Sequence, residues 1–149
     1  MNNSISFYRI FISFLFLTGP ITAMSQDNSF FEKTKIQHKI NEARHNFIQG
    51  NVKSALLNYK EAIALNPSNV KAEYGLAECY YKLQNYKKAK FHAEKAYLAD
   101  PKIDDDILFL MGRTYFRLNE ITKAKQKLSQ FKEMTKSCLL YTSDAADDP

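Results

Sequence analysis

The chain has 149 residues, 45% of them hydrophobic and 25% charged, with a formal net charge of +5 and two cysteines. Between Gln26 and Lys136 there are 20 Lys and Arg against 13 Asp and Glu, a net of +7 that could favour nucleic acid, anionic lipid or an acidic peptide. No Gly-rich phosphate loop or reading-helix motif accompanies this excess, which argues against nucleic acid, and Cys79, the one cysteine in the body of the chain, cannot close an intrachain disulfide.

Met1 to Ser25 differs in composition from all that follows. Arg9 and the amino terminus carry positive charge, Ile10 to Leu17 reads IFISFLFL, Gly19-Pro20 breaks the run, and Ala23-Met24-Ser25 is a small-x-small site. This is the pattern of a secretory signal peptide over 1–25, cleaved before Gln26. Its apolar core is short for a membrane span, so no integral span is expected after cleavage, and no cysteine near the site suits a lipoprotein anchor. Residues 26–35 are expected to extend the first helix of the body, with Ser29-Phe30-Phe31-Glu32 resembling a capping box at its start.

A period then begins. Pro67 and Pro101 lie 34 residues apart, as do Ala55 and Ala89, and Ala62 and Ala96. A period of this length marks stacked supersecondary units, here 36–69, 70–103 and 104–136. Leu76, Ala77, Tyr80, Ala89, Ala96 and Pro101 hold fixed offsets in the second unit, and Ala43, Gly50, Ala55, Tyr59, Ala62 and Pro67 stand in or near the matching places of the first. The third, with Met111, Gly112, Tyr115, Ala124 and Leu128, is displaced by one residue inserted in the Pro101–Asp104 connection, where added length costs little. Val70 to Leu83 and Tyr86 to Leu98 carry apolar residues at three- and four-residue spacings and read as amphipathic helices. Ala77 and Ala89 are small where the two helices of a hairpin should cross, Asn51 and Asn85 can cap second helices, and Asp104-Asp105-Asp106 can cap the next first helix. Lysines on second helices, such as Lys87, Lys88, Lys90 and Lys95, are expected to be solvated. The expectation is an all-α fold of about three stacked antiparallel helix hairpins.

These positions resemble the tetratricopeptide repeat family from Ile36 to Lys136, an α-solenoid. Asn46 where an aromatic is usual, Ala93 for a large residue and Phe131 for alanine depart from the family pattern. The resemblance implies that the first helix of each pair lines a concave groove. It nominates Ile40, Arg44, Phe47 and Ile48 from the first unit, Lys71, Tyr74, Glu78, Tyr81 and Lys82 from the second, and Phe109, Arg113, Phe116 and Arg117 from the third. Aromatic rings interleaved with cationic side chains suit an extended peptide. The alternative is that Phe47, Tyr81 and Phe116 simply pack between first helices. Ile40 and Arg44 stand where the family's chaperone-tail clamp wants Lys and Asn, so that specialised function is not expected.

Tyr74 to Glu120, and within it DPKIDDDILFLMGRTY, further resembles the repeat segment at the front of certain exported envelope proteins, whose repeats precede a β-propeller-like region and an OmpA-like peptidoglycan-binding domain. That likeness implies a bacterial periplasmic or outer-membrane-associated setting.

His38, His45 and His92 lack metal-ligand spacing, and no nucleophile–base constellation can be assembled, so no enzyme, metal or cofactor is expected. Finally, Cys138 to Asp148 reads CLLYTSDAADD, unrelated to the repeats. It looks like a translated transposase sequencing adapter, so 137–149 is expected to be disordered, with the natural array continuing past Lys136 into further domains. The function expected is an exported interaction module that binds a peptide, a protein or a neighbouring domain of its own chain. The alternatives are a structural spacer with a self-filled groove, or a non-catalytic fragment of an envelope enzyme complex.

Overall fold

The computed structural model describes residues 21–104 and 106–144, with side chains from 29 to 104 and from 106 to 136. The described residues form six helices and no strand: α1 (Ile21–Ile48), α2 (Val52–Leu65), α3 (Val70–Lys82), α4 (Tyr86–Ala99), α5 (Ile107–Arg117) and α6 (Ile121–Asp144). The chain divides into two compact units, 1–37 and 38–149. The described part of the first is the opening stretch of α1, where Thr34 Oγ1 donates to the Phe30 carbonyl and the exposed rings of Phe30 and Phe31 meet edge to face. Ser29 therefore lies inside a helix and does not open one. Nothing between Ile21 and Ile48 is proline or glycine, so no residue forces a new start at position 29. The proposed signal-peptide core lies outside the described residues; of the C-terminal tail expected to be disordered, 137–144 continue helix α6 and 145–149 lie outside the described residues.

The second unit holds the hairpins, and each turns in the same way. Gly50, Gln84 and Asn119 adopt left-handed backbone with φ of 80°, 59° and 60°. The next residue donates back across the helix end, Asn51 to the Asn46 carbonyl, Asn85 to that of Tyr80 and Glu120 to that of Tyr115. The left-handed residue itself bonds Phe47, Tyr81 or Phe116. This pair of bonds satisfies carbonyls that the ending helix leaves without partners. Between hairpins, Asn66 and Asp100 fold their side chains onto the backbone N–H groups of Ser68 and Lys102, and Pro67 and Pro101 stop the helix from continuing. Caps differ from the expectation. Asn85 Oδ1 accepts from Lys88 N–H and Asn69 Oδ1 from Ala72 N–H, but Asn51 and Asp106 occupy cap positions without a side-chain bond. The Asp104 carboxylate instead accepts from Asp106 N–H and from the Tyr74 hydroxyl.

Small residues set how closely the helices approach. Ala43, Ala55, Ala62, Ala72, Ala77, Ala89, Ala93 and Ala96 are wholly buried. Gly75 is required by Tyr59 on the preceding hairpin, since a β-carbon at residue 75 would sit 2.1 Å from the Tyr59 ring. At the next junction the sizes are reversed, with small Ala93 on α4 and large Leu110 on α5 in one buried cluster with Ile107, Leu108, Met111 and Tyr115. The departure at Ala93 thus has a packing reason. First helices α3 and α5 touch each other, whereas the second helices α2 and α4 do not.

Candidate functional site

The nominated residues sit on α1, α3 and α5. Lys82 and Arg117 stand in the last turns of α3 and α5, where the helix dipole favours a cation, and Arg113 lies one turn earlier on α5. The Tyr81 hydroxyl is the junction of this surface. It accepts from Arg113 Nε at 3.2 Å, and its proximity helps to raise the pKa of the Arg117 guanidinium. The Arg113 guanidinium lies 4.5 Å from the Tyr81 ring centre and 5.1 Å from that of Phe109, so it is held between two aromatic faces. Arg117 lies over Tyr86, itself edge-on to Tyr81. Phe116 is 62% exposed and Ile48 70%. Phe116 is therefore not packed between first helices, while Phe47 and Tyr81 are half-buried.

Deeper in, Glu78 forms no ion pair among the described residues. Burial, with Asp104 and Asp106 nearby, raises its carboxyl to about 7 against the opposing pull of Arg44 and Lys82. Burial also pushes the Tyr74 hydroxyl up, reinforced by Glu78 and Asp104, and drives the buried Cys79 thiol to about 12 with the help of Glu78. A thiol in that state is a poor nucleophile. Arg44 and Lys82, which act on Glu78, are exposed, as is Lys71 in the first turn of α3. One nomination is corrected: Ile40 is buried, on the same face of α1 as the fully buried Ala43, and contributes to the core. The helical offset of three residues puts both on one stripe.

Sequence reasoning missed an acidic group held in the second hairpin. Glu73, 3% exposed in the first turn of α3, accepts from His92 Nδ1 at 2.6 Å and from Lys95 Nζ, which also reaches the Pro67 carbonyl. The His92 ring stacks on Tyr80 at 5.3 Å. Lys95 is thus not simply solvated, nor is Lys90, which binds Glu120 at 2.6 Å beside Lys123. Their partners lie across the fold, beyond the reach of any local pattern. Among the described residues no cluster of His, Cys, Asp and Glu could hold a metal ion, and no helix is long and apolar enough to cross a membrane.

The Tetratricopeptide repeat family matches residues 47–102 and again 106–134, together more than half of the chain. The protein belongs to the tetratricopeptide repeat family. Human Tetratricopeptide repeat protein 28 is 31% identical over 88 residues, which is 59% of this chain and 4% of that much longer protein. Among solved structures, the second TPR of Spaghetti (RPAP3) bound to HSP90 peptide SRMEEVD is similar with a TM-score of 0.63 and 22% identity, covering 72% of this repeat protein and 95% of that chain. YrrB, a TPR protein with an unusual peptide-binding site, is 25% identical with a TM-score of 0.64, covering 79% of this chain and 58% of that one. The Arabidopsis OM64 TPR domain has a TM-score of 0.63 at 19% identity, with 67% and 82% covered. The fold is the all-α repeat solenoid of these proteins.

Proposed function

We propose that this repeat protein is an exported interaction module that binds an extended peptide, or a neighbouring domain of its own chain, along α1, α3 and α5. The observation that carries the reading is the ladder Phe109–Arg113–Tyr81, with Phe116 and Arg117 exposed beside it. Arg113 is positioned before any ligand arrives, so less side-chain entropy is lost on binding. Exposed rings can bury apolar side chains while guanidinium groups take carboxylates or main-chain oxygens. Solved relatives seen with peptides, and the peptide-binding site of YrrB, support a non-catalytic binding role. The envelope setting rests on the leader-like first 25 residues and on the likeness of Tyr74–Glu120 to exported envelope proteins.

The test is selection of extended peptides from a displayed library on the full chain, followed by affinity measurement. Phe116→Ala/Arg117→Ala is expected to weaken a selected peptide by about tenfold or more. Undiminished affinity, or peptides that compete only with changes on second helices, would place the site elsewhere.

A further inference from the structure

The described arginines, Arg44, Arg113 and Arg117, are all on first helices, whereas the second helices carry lysine alone. Lys53 and Lys60 on α2, Lys87 and Lys88 on α4, and Lys125 and Lys132 on α6 are exposed, and none forms an ion pair among the described residues. From Val52 to Lys136 these helices contain three acidic residues, Glu61, Glu94 and Glu133, against eleven lysines. Glu61 pairs with Lys39 on α1, and Glu94 accepts from the Tyr115 hydroxyl. The outward face is therefore predominantly cationic, with Glu94 beside Phe91 and Glu133 on α6 as acidic exceptions.

Single apolar side chains stand out among those cations. Leu57 is 58% exposed, Phe91 61% and Leu98 81%. Leu57 and Phe91 occupy equivalent places 34 residues apart, and Leu98 lies two turns beyond Phe91 on the same side of α4.

We propose that the outer face of the second helices docks on an anionic lipid surface, with lysines in the headgroup layer and Phe91 and Leu98 inserted beneath it. The choice of lysine fits a diffuse layer of charge, which needs no bidentate geometry, whereas arginine's fork is kept for the opposite face. Isolated apolar tips surrounded by cations match how peripheral surfaces enter the acyl boundary. An acidic peptide fits less well, because lysine without arginine on these helices offers its carboxylates no bidentate fork. This proposal is independent of peptide binding on the first helices.

Vesicle co-sedimentation of the full chain tests it, using phosphatidylcholine alone and phosphatidylcholine mixed with phosphatidylglycerol. The apolar Ile10–Leu17 stretch is then common to every sample. The full chain is expected to prefer the anionic vesicles and to be released by salt. Lys60→Glu/Lys87→Glu/Lys125→Glu is expected to lower that partition by about tenfold or more, and Phe91→Ser/Leu98→Ser to lower it at unchanged charge. Arg44→Glu/Arg113→Glu/Arg117→Glu alters net charge equally from the other face and is expected to retain vesicle binding. Glutamine versions serve for any glutamate variant that loses its helical melt. Equal loss from both triple variants would mean that only net charge matters and would overturn the proposal. So would equal partition into the two vesicle types, or binding of polyglutamate without binding of anionic vesicles, which would identify an acidic protein as the partner.

Discussion

Gln84 and Asn119 hold the left-handed backbone that Gly50 supplies in the first hairpin. A β-carbon there costs roughly 1–2 kcal/mol, partly offset in a glycine variant by the greater freedom of its unfolded chain. Gln84→Gly is therefore expected to raise stability by about 0.5–1 kcal/mol, seen as a higher urea midpoint at unchanged slope; a lower midpoint would show that the Gln84 side chain contributes more than its strain. Gly50 marks its turn in the sequence, but Gln84 and Asn119 do so only through their offset from it. Glu73 gave no such signal. A glutamate in a helix's first turn looks like an ordinary surface residue, and His92 and Lys95, 19 and 22 residues further on, become its partners only when α4 folds back.

At the scale of helices, the alanine pattern was legible and the caps were less so. Ala77 and Ala89 are fully buried, as the spacing implies. Asparagine at equivalent places bonds at 85 and not at 51, a difference of side-chain geometry that residue type alone does not carry. Ala89→Leu is expected to destabilise by roughly 1–3 kcal/mol through overpacking. Lys88→Leu loses an exposed cation 5.4 Å from the Tyr80 ring and is expected to stay within about 1 kcal/mol. Urea melts of the two variants compare them directly, and equal losses would contradict the observed register. The stripe from Ile40 to Ala43 shows the limit of carrying family positions over: Ile40 was nominated for the groove, but its neighbour one turn on is a core alanine.

Across the whole molecule, Glu78 couples three regions, since Arg44 on α1, Lys82 on α3 and Asp104 before α5 all act on it. Its folded carboxyl lies near 7 and its unfolded one near 4.5. The folded state therefore holds the extra proton between those values, and stability falls as pH rises through that window and is level above it. Glu78→Gln is expected to remove this fall and to be more stable than the parent by about 1–3 kcal/mol at pH 8. The difference between the two urea-stability curves at pH 5 and pH 8 checks the sign; a Gln variant that is less stable at pH 8 would mean the carboxylate is paired after all. No local pattern announces this group, because its environment is assembled from residues as far apart as 44 and 106.

The alternation of large and small at the hairpin junctions has a consequence for how such an array could be rebuilt. Tyr59 meets Gly75 at the first junction, and Ala93 stands with Leu110 at the second. Splicing the first hairpin directly onto the third would drive a tyrosine ring into a leucine, and following the second with a copy of itself would leave Ala93 beside Gly75 and a void between them. The three hairpins share a period but not a socket, so their order is written into the junctions as surely as teeth are cut into a key.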